Sequence, residues 1–247
     1  MSLGFKIWPD EWNLSAYAKV FGNKYIGVAY INTIKRVVLA VAIAVPSNVF
    51  AGYALSKKLP FRKGLLIFLL ITMFFSGGLI PSYVLIVKLG LYNSVWALVL
   101  PGAATAWNIF IARNFIKTIP DEIEEAAHID GAKPLRIMFR IIIPLSMPLI
   151  AILTLWTAVA NWNEWFGAMI YTKGNDKLVL QLLLRRIIID VDPAVMGEGA
   201  LTGLTSQTSP ETVKAASVIV TTAPIICFYP FLQKYFVKGI FIGSVKG

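Results

Sequence analysis

Charge is scarce in this chain. Asp, Glu, Lys and Arg make up 15% of its 247 residues, against about a quarter in a soluble domain. Cysteine is almost missing. Cys227 stands alone inside an apolar run, which excludes an intrachain disulfide framework and reads as a small core side chain. His128 is the one histidine. No Cys or His cluster has metal-ligand spacing, so no metal site is expected. Nor are Ser, His and Asp spaced as a plausible catalytic set, which argues against a hydrolytic or metal enzyme. The GxxxxGK[ST] pattern of a phosphate-binding loop is absent, and the chain is not expected to hydrolyse ATP itself. Residues 1–30 lack a basic start running directly into an apolar core, so they do not read as a signal peptide. No basic groove interleaved with aromatics is visible, and nucleic acid is not an expected partner.

What abounds is apolar sequence. Hydrophobic residues make up 57% of the chain and the mean hydropathy is +0.70. The apolar runs reach about 18 residues or more, enough to cross a hydrocarbon core of ~30 Å. The expected fold class is an all-α membrane protein, a polytopic helical bundle with about five transmembrane helices. They are read at Ile34–Leu55, Leu65–Tyr83, Ser94–Ala112, Met147–Ile170 and Glu211–Phe231. Gly77, Gly78 and Pro81 break the end of the second, and Pro101 lies near the start of the third. Residues 1–33 form a polar, aromatic-rich outer lead. Residues 34–247 form the membrane domain, with long connections at 113–146 and 171–210.

The net charge is +10, and much of it can be placed. Lys57, Lys58, Arg62 and Lys63 have no acid nearby, and Lys234, Lys238 and Lys246 lie in the tail. Basic loops mark the cytoplasmic side of a membrane. The connections at 56–64 and 113–146 and the C-terminus are therefore expected inside, with the N-terminus of this chain outside.

The connection at 118–148 reads TIPDEIEEAAHIDGAKPLRIMFRIIIPLSMP. Thr118 is the expected helix cap, with Asp121 as the capping-box acid. Pro120 suits the first turn, and Asp121, Glu122, Glu124 and Glu125 suit the positive end of a helix. Gly131 suits a helix stop and Pro134 a new first turn. Helix, tight turn, helix is the expected local structure.

Within it, Glu125-Ala126-Ala127 is followed after three residues by Gly131, after nine more by Ile141, and then by Ile143-Pro144. This spacing resembles the EAA loop of binding-protein-dependent ABC importer permeases, with Ile143 where that pattern has Leu. The ending VKGIFIGSVKG resembles maltose-transporter-type permeases that lack the large periplasmic insertion. The stretches FFSGGLIPSYVLIVKLGLYNSVWALVLPGA and WNEWFGAMIY are similar to a branch that imports complex oligosaccharides. The resemblance covers nearly the whole chain, less the family's first helix, which is expected to be missing here.

The resemblance implies a coupling helix at about Asp121–Ile129, held in a cleft of an ATPase subunit. Glu125 would make the charge contact, Ala126 and Ala127 would permit close approach, and Gly131 would supply the turn. Ile141 and Pro144 complete the motif. Also implied are a second permease subunit in a heterodimer, an ABC ATPase dimer carrying ATP and Mg, and an extracytoplasmic solute-binding protein. This chain would bind no cofactor. Its place would be the lipid bilayer of a bacterial cytoplasmic (inner) membrane.

Glu164 is the acid read inside a span, and such a residue is a functional hypothesis by default. Thr154, Thr157, Asn161 and Glu164 fall on one helical face at ~100° per residue, with Trp165 beside them. This polar stripe is a candidate sugar pathway. Helix-to-helix bonding is the other reading of the same residues. The outer connection is too long for a simple link. By resemblance it holds a loop that reaches into the solute-binding protein. Residues 171–210 hold four basic and four acidic side chains, so charge gives no support to an acidic cargo. A permease for amino acids or peptides, and a scaffold or membrane-embedded enzyme, are the alternatives to sugar import.

Overall fold

The computed structural model describes residues 14–190 and 210–243. The lead before Leu14, the stretch 191–209 and the tail beyond Gly243 lie outside the described residues, and with them about half of the outer loop expected to meet a binding protein. Every regular element among the described residues is a helix.

A short α1 (Ser15–Phe21) precedes α2, which runs unbroken over Ile26–Ser56. Among the described residues, α2 is the one continuous helix long and apolar enough to cross a membrane. It begins well ahead of the expected Ile34, because the charge of Arg36 does not end it. Pro46 sits inside α2 and supplies no backbone N–H to the preceding turn.

The expected second span is two helices. α3 (Arg62–Phe74) and α4 (Leu79–Lys88) meet at 112°. Gly78, at φ 88°, occupies the bend, where a side chain would be strained. The expected third span is also broken. α5 (Trp96–Val99) runs into a 3₁₀ turn at Leu100–Gly102, and α6 (Ala106–Ile116) starts afresh after Thr105. Asn48 of α2 repairs that break. Its amide donates to Ala103 O at 3.1 Å and accepts from the Thr105 N–H at 3.1 Å.

α7 (Asp121–Ile129) and α8 (Pro134–Ile137) follow, then a π turn at Met138–Ile142 and a one-turn α9 (Ile143–Leu145). Pro144 cannot donate to the carbonyl four residues back, and the wider π turn ahead of it accommodates that loss. The chain then turns by 77° into α10 (Met147–Asn163). The expected fourth span stops there, because Glu164 has extended backbone (ψ 116°). α11 (Phe166–Tyr171), α12 (Leu180–Asp190) and α13 (Pro210–Gly243) complete the chain.

Two apolar clusters hold these elements together. One packs Val20, Ala29, Trp162, Leu180 and Val220 from α1, α2, α10, α12 and α13. The other packs Val49, Ala112, Ala127, Ile137 and Leu149 from α2, α6, α7, α8 and α10. α2 and α10 run through both. By contrast α3 buries no residue and α4 buries only Ile86. An uncovered apolar surface of this size needs lipid or protein against it.

The tightest approach is between α2 and α6. A β-carbon added at Gly52 would lie 2.6 Å from the Ala112 β-carbon and 2.8 Å from the Arg113 backbone nitrogen. Gly52→Ala must push two backbones apart, and overpacking of this kind costs about 1–3 kcal/mol. A lower thermal midpoint is expected for Gly52→Ala. Gly64→Ala enters open space and is expected to leave the midpoint unchanged.

Candidate functional site

The motif residues of the 113–146 connection fall on two sides of α7. Glu124 and Ala127 are buried, whereas Glu125 and Ala126 are exposed. Glu124 is held by α2. Its Oε1 pairs with the Lys57 ammonium and its Oε2 accepts from the Tyr53 hydroxyl at 3.4 Å. The same ammonium lies 5.1 Å from the centre of the Tyr53 ring. The acid beside the motif thus fastens α7 to α2 and leaves Glu125 outward.

The end of α7 is a Schellman motif. The Gly131 N–H donates to His128 O at 3.0 Å and the Ala132 N–H to Ala127 O at 2.9 Å. Gly131 has φ 75°, the left-handed conformation this motif demands. Ile141 packs half-buried against the cluster that holds Ala127 and Ile137, and Pro144 is exposed on α9. The expected cap differs. Thr118 donates its hydroxyl to Phe115 O at 2.7 Å and so closes α6, while Pro120 takes the position before α7. Thr118 is therefore spent on the helix before it.

Further back along α2, Arg36 is buried and donates three hydrogen bonds. Its Nη2 donates to Glu164 Oε2 at 2.6 Å, its Nη1 to Glu164 O at 2.8 Å, and its Nε to Asn161 Oδ1 at 3.3 Å. The other Glu164 oxygen accepts the Gly167 N–H at the start of α11. Asn161 donates back to Thr157 O at 2.9 Å. The stripe is thereby divided. Thr157 is buried, Asn161 binds Arg36, and Thr154 is half-buried. Glu164 keeps 35% side-chain exposure. Trp165 is half-buried, with Phe166 edge-on and the Arg185 guanidinium over its ring.

Sequence reasoning missed Arg36, Lys57 and Glu124. A signal existed for Arg36: an acid inside a span needs a cation, and Arg36 is a basic residue at the edge of another span. Nearby, Asn32 donates to Asp176 O and Leu178 O at 2.7 and 3.0 Å, and Thr33 accepts the Leu180 N–H at 2.8 Å. These bonds pin the start of α12 to α2. Among the described residues no group of three or more His, Cys, Asp and Glu could hold a metal ion.

The sequence profile described as "Binding-protein-dependent transport system inner membrane component" matches residues 27–242. The chain belongs to this family. The permease is 38% identical over 248 residues to the polygalacturonan/rhamnogalacturonan transport system permease protein YtcP of Bacillus subtilis, covering 100% of this chain and 86% of the relative. It is 39% identical over 251 residues to protein LplC of the same organism, covering 98% and 82%. Among solved structures, it matches a bacterial ABC transporter involved in import of the acidic polysaccharide alginate. There the TM-score is 0.85 at 35% identity, over 92% of this permease and 81% of that chain. A chain of the alginate transporter bound to its alginate-loaded periplasmic protein matches at TM-score 0.57 and 13% identity, over 91% and 84%. That second likeness concerns the fold alone. Relatives of this permease are transport components of the inner membrane, and the sequence profile places this chain with them.

Proposed function

We propose that this permease carries an oligosaccharide through the membrane as one subunit of an ATP-driven importer. The observation that carries the reading is the two-sided α7. Glu124 and Ala127 face the permease core, and Glu125 and Ala126 face out, where an ATPase subunit would dock. The cargo class rests on relatives named for polygalacturonan/rhamnogalacturonan, for maltodextrin and for alginate. ATP and Mg belong to the separate ATPase dimer. A solute-binding protein delivers the sugar, and a second permease subunit completes the pathway. The uncovered α3 and α4 lie against that subunit or against lipid.

In this reading about five spans cross the bilayer: α2, the bent pair α3–α4, the broken α5–α6, the α10 segment and α13. α7 and the C-terminus lie on the cytoplasmic side. Glu125 contacts the ATPase, Ala126 allows close approach, and Gly131, Ile141 and Pro144 fix the turn and the return to the membrane. Thr154, Glu164 and Trp165 offer polar and aromatic surface to the sugar. Thr157 and Asn161 order that surface from behind. Transport is alternating access, driven by ATPase closure and reset by hydrolysis.

The test is ATP-driven uptake by the complete transporter in proteoliposomes, with the binding protein loaded with a labelled oligosaccharide. Wild type should import it. Gly131→Val forces a β-branched residue into left-handed backbone and should abolish uptake while the complex still assembles. Import of amino acids or peptides in place of any saccharide would refute the cargo reading. Normal uptake by an assembled Gly131→Val transporter would refute the coupling role.

A further inference from the structure

Two arginines of the outer connection, Arg185 and Arg186, lie side by side on α12. Arg186 donates to Asn175 Oδ1 at 3.1 Å. Arg185 is placed differently. Its guanidinium lies 4.4 Å from the centre of the Trp165 indole. Its Nη1 reaches only the Met169 sulfur, at 3.7 Å, and a thioether is a weak acceptor. No carboxylate among the described residues pairs with it. The guanidinium sits over the ring, and beyond that Nη1 contact its N–H groups meet no acceptor among the described residues. A guanidinium edge of this kind accepts a carboxylate in two-point fashion.

The surroundings supply groups for hydroxyls. Gln181 lies one turn before Arg185 on α12, on the same face, while Leu182 and Leu183 are buried. Gln181 Nε2 donates to Asn163 Oδ1 at 3.3 Å. That bond leaves the Gln181 carbonyl and three amide hydrogens of the pair for other partners. Asn163 is exposed, and Gln181, Trp165 and Arg185 are half-buried. One guanidinium edge beside two amides on an aromatic base matches a ring that bears both a carboxylate and hydroxyls.

We propose that Arg185, Trp165, Gln181 and Asn163 form a subsite for a uronic acid residue of the transported sugar. The inference rests on the saccharide reading above and narrows it to acidic oligosaccharides. Arg185 takes the carboxylate, Trp165 supports the guanidinium from beneath, and the amides of Gln181 and Asn163 take hydroxyls. An acidic side chain of the docked binding protein could meet Arg185 as well, but it would leave the amide pair unused.

The test is binding of trigalacturonate to the complete transporter in nanodiscs, against the same trisaccharide with its carboxyl groups reduced to alcohols. Wild type should favour the acid by about tenfold, the scale of one charge-assisted contact. Arg185→Met should erase that preference, Arg185→Lys should keep part of it, and Arg186→Met should keep all of it. Equal binding of the two sugars by wild type, or a preference that survives Arg185→Met, would overturn the proposal. So would a defect of Arg185→Met confined to docking of the unloaded binding protein, which would assign the carboxylate to that protein. Uptake in proteoliposomes judges the broader reading separately. A transporter that imports oligosaccharides without preferring the acid sinks this subsite alone.

Discussion

Arg36→Met should destabilise this permease more than any surface charge substitution. The variant removes three donors at once. It leaves Asn161 Oδ1 and the Glu164 carbonyl without the bonds they accept now, and it strands a carboxylate at the end of α10. Removing one partner of a buried ion pair costs about 3–5 kcal/mol, because the remaining charge stays desolvated. The Arg36 side chain is 4% exposed and that of Glu164 is 35% exposed, so the lower end of that range applies. The measurement is the thermal midpoint of the purified protein. Arg36→Met/Glu164→Gln should recover part of the loss, since no bare carboxylate remains. A single variant as stable as wild type would show that the pair does not hold α10 to α2.

Glu124→Gln should separate ATP hydrolysis from transport. Glutamine keeps the shape and can still accept from Tyr53, but the ion pair to Lys57 is gone. The Glu124 side chain is 11% exposed and that of Lys57 is 33% exposed. The pair is sheltered enough for a charge-assisted bond to be worth about 1.5–3 kcal/mol. Under the proposed coupling role, an ATPase docked on Glu125 would still turn over with α7 loosened from α2. The expected result is near-normal ATPase activity with uptake reduced about tenfold or more. Lys57→Glu/Glu124→Lys restores the pair in reverse and should recover much of the uptake. Equal loss of both activities in Glu124→Gln would indicate failed assembly instead, and an unrescued swap would count against the ion pair as the link.

The inner segment was the most legible part of the sequence. Its helix limits follow from local chemistry: acids in the first turn, Gly131 at the left-handed stop, and Pro134 opening the next turn. The structure has α7 at Asp121–Ile129 and α8 beginning at Pro134. Run length also found the apolar stretches, because lipid-length runs need no tertiary information. Their interruptions were harder to see. The break at Glu164 exists because that carboxylate and its carbonyl bind Arg36, 128 positions away in sequence. Asn48 likewise stabilises the restart of the chain at Thr105 from another helix. Arg36 falls just inside the expected span Ile34–Leu55, and no window of neighbouring residues contains its counter-ion. The split of α7 into Glu124 inward and Glu125 outward escaped for the same reason. Two adjacent glutamates differ only in which one meets Lys57.

Arg36 lies ten residues after the start of α2, and Lys57 caps its C-terminal end. At ~1.5 Å per residue the two are about 31 Å apart along the axis. The hydrocarbon core of a bilayer is ~30 Å thick. The two ion pairs are spaced to bracket such a slab, and the residues between them include no charged side chain. With α2 so placed, neither pair would bear the full cost of a charge at mid-membrane. The helix would act as a depth gauge: sliding it by one turn along the membrane normal would draw Arg36 or Lys57 into lipid.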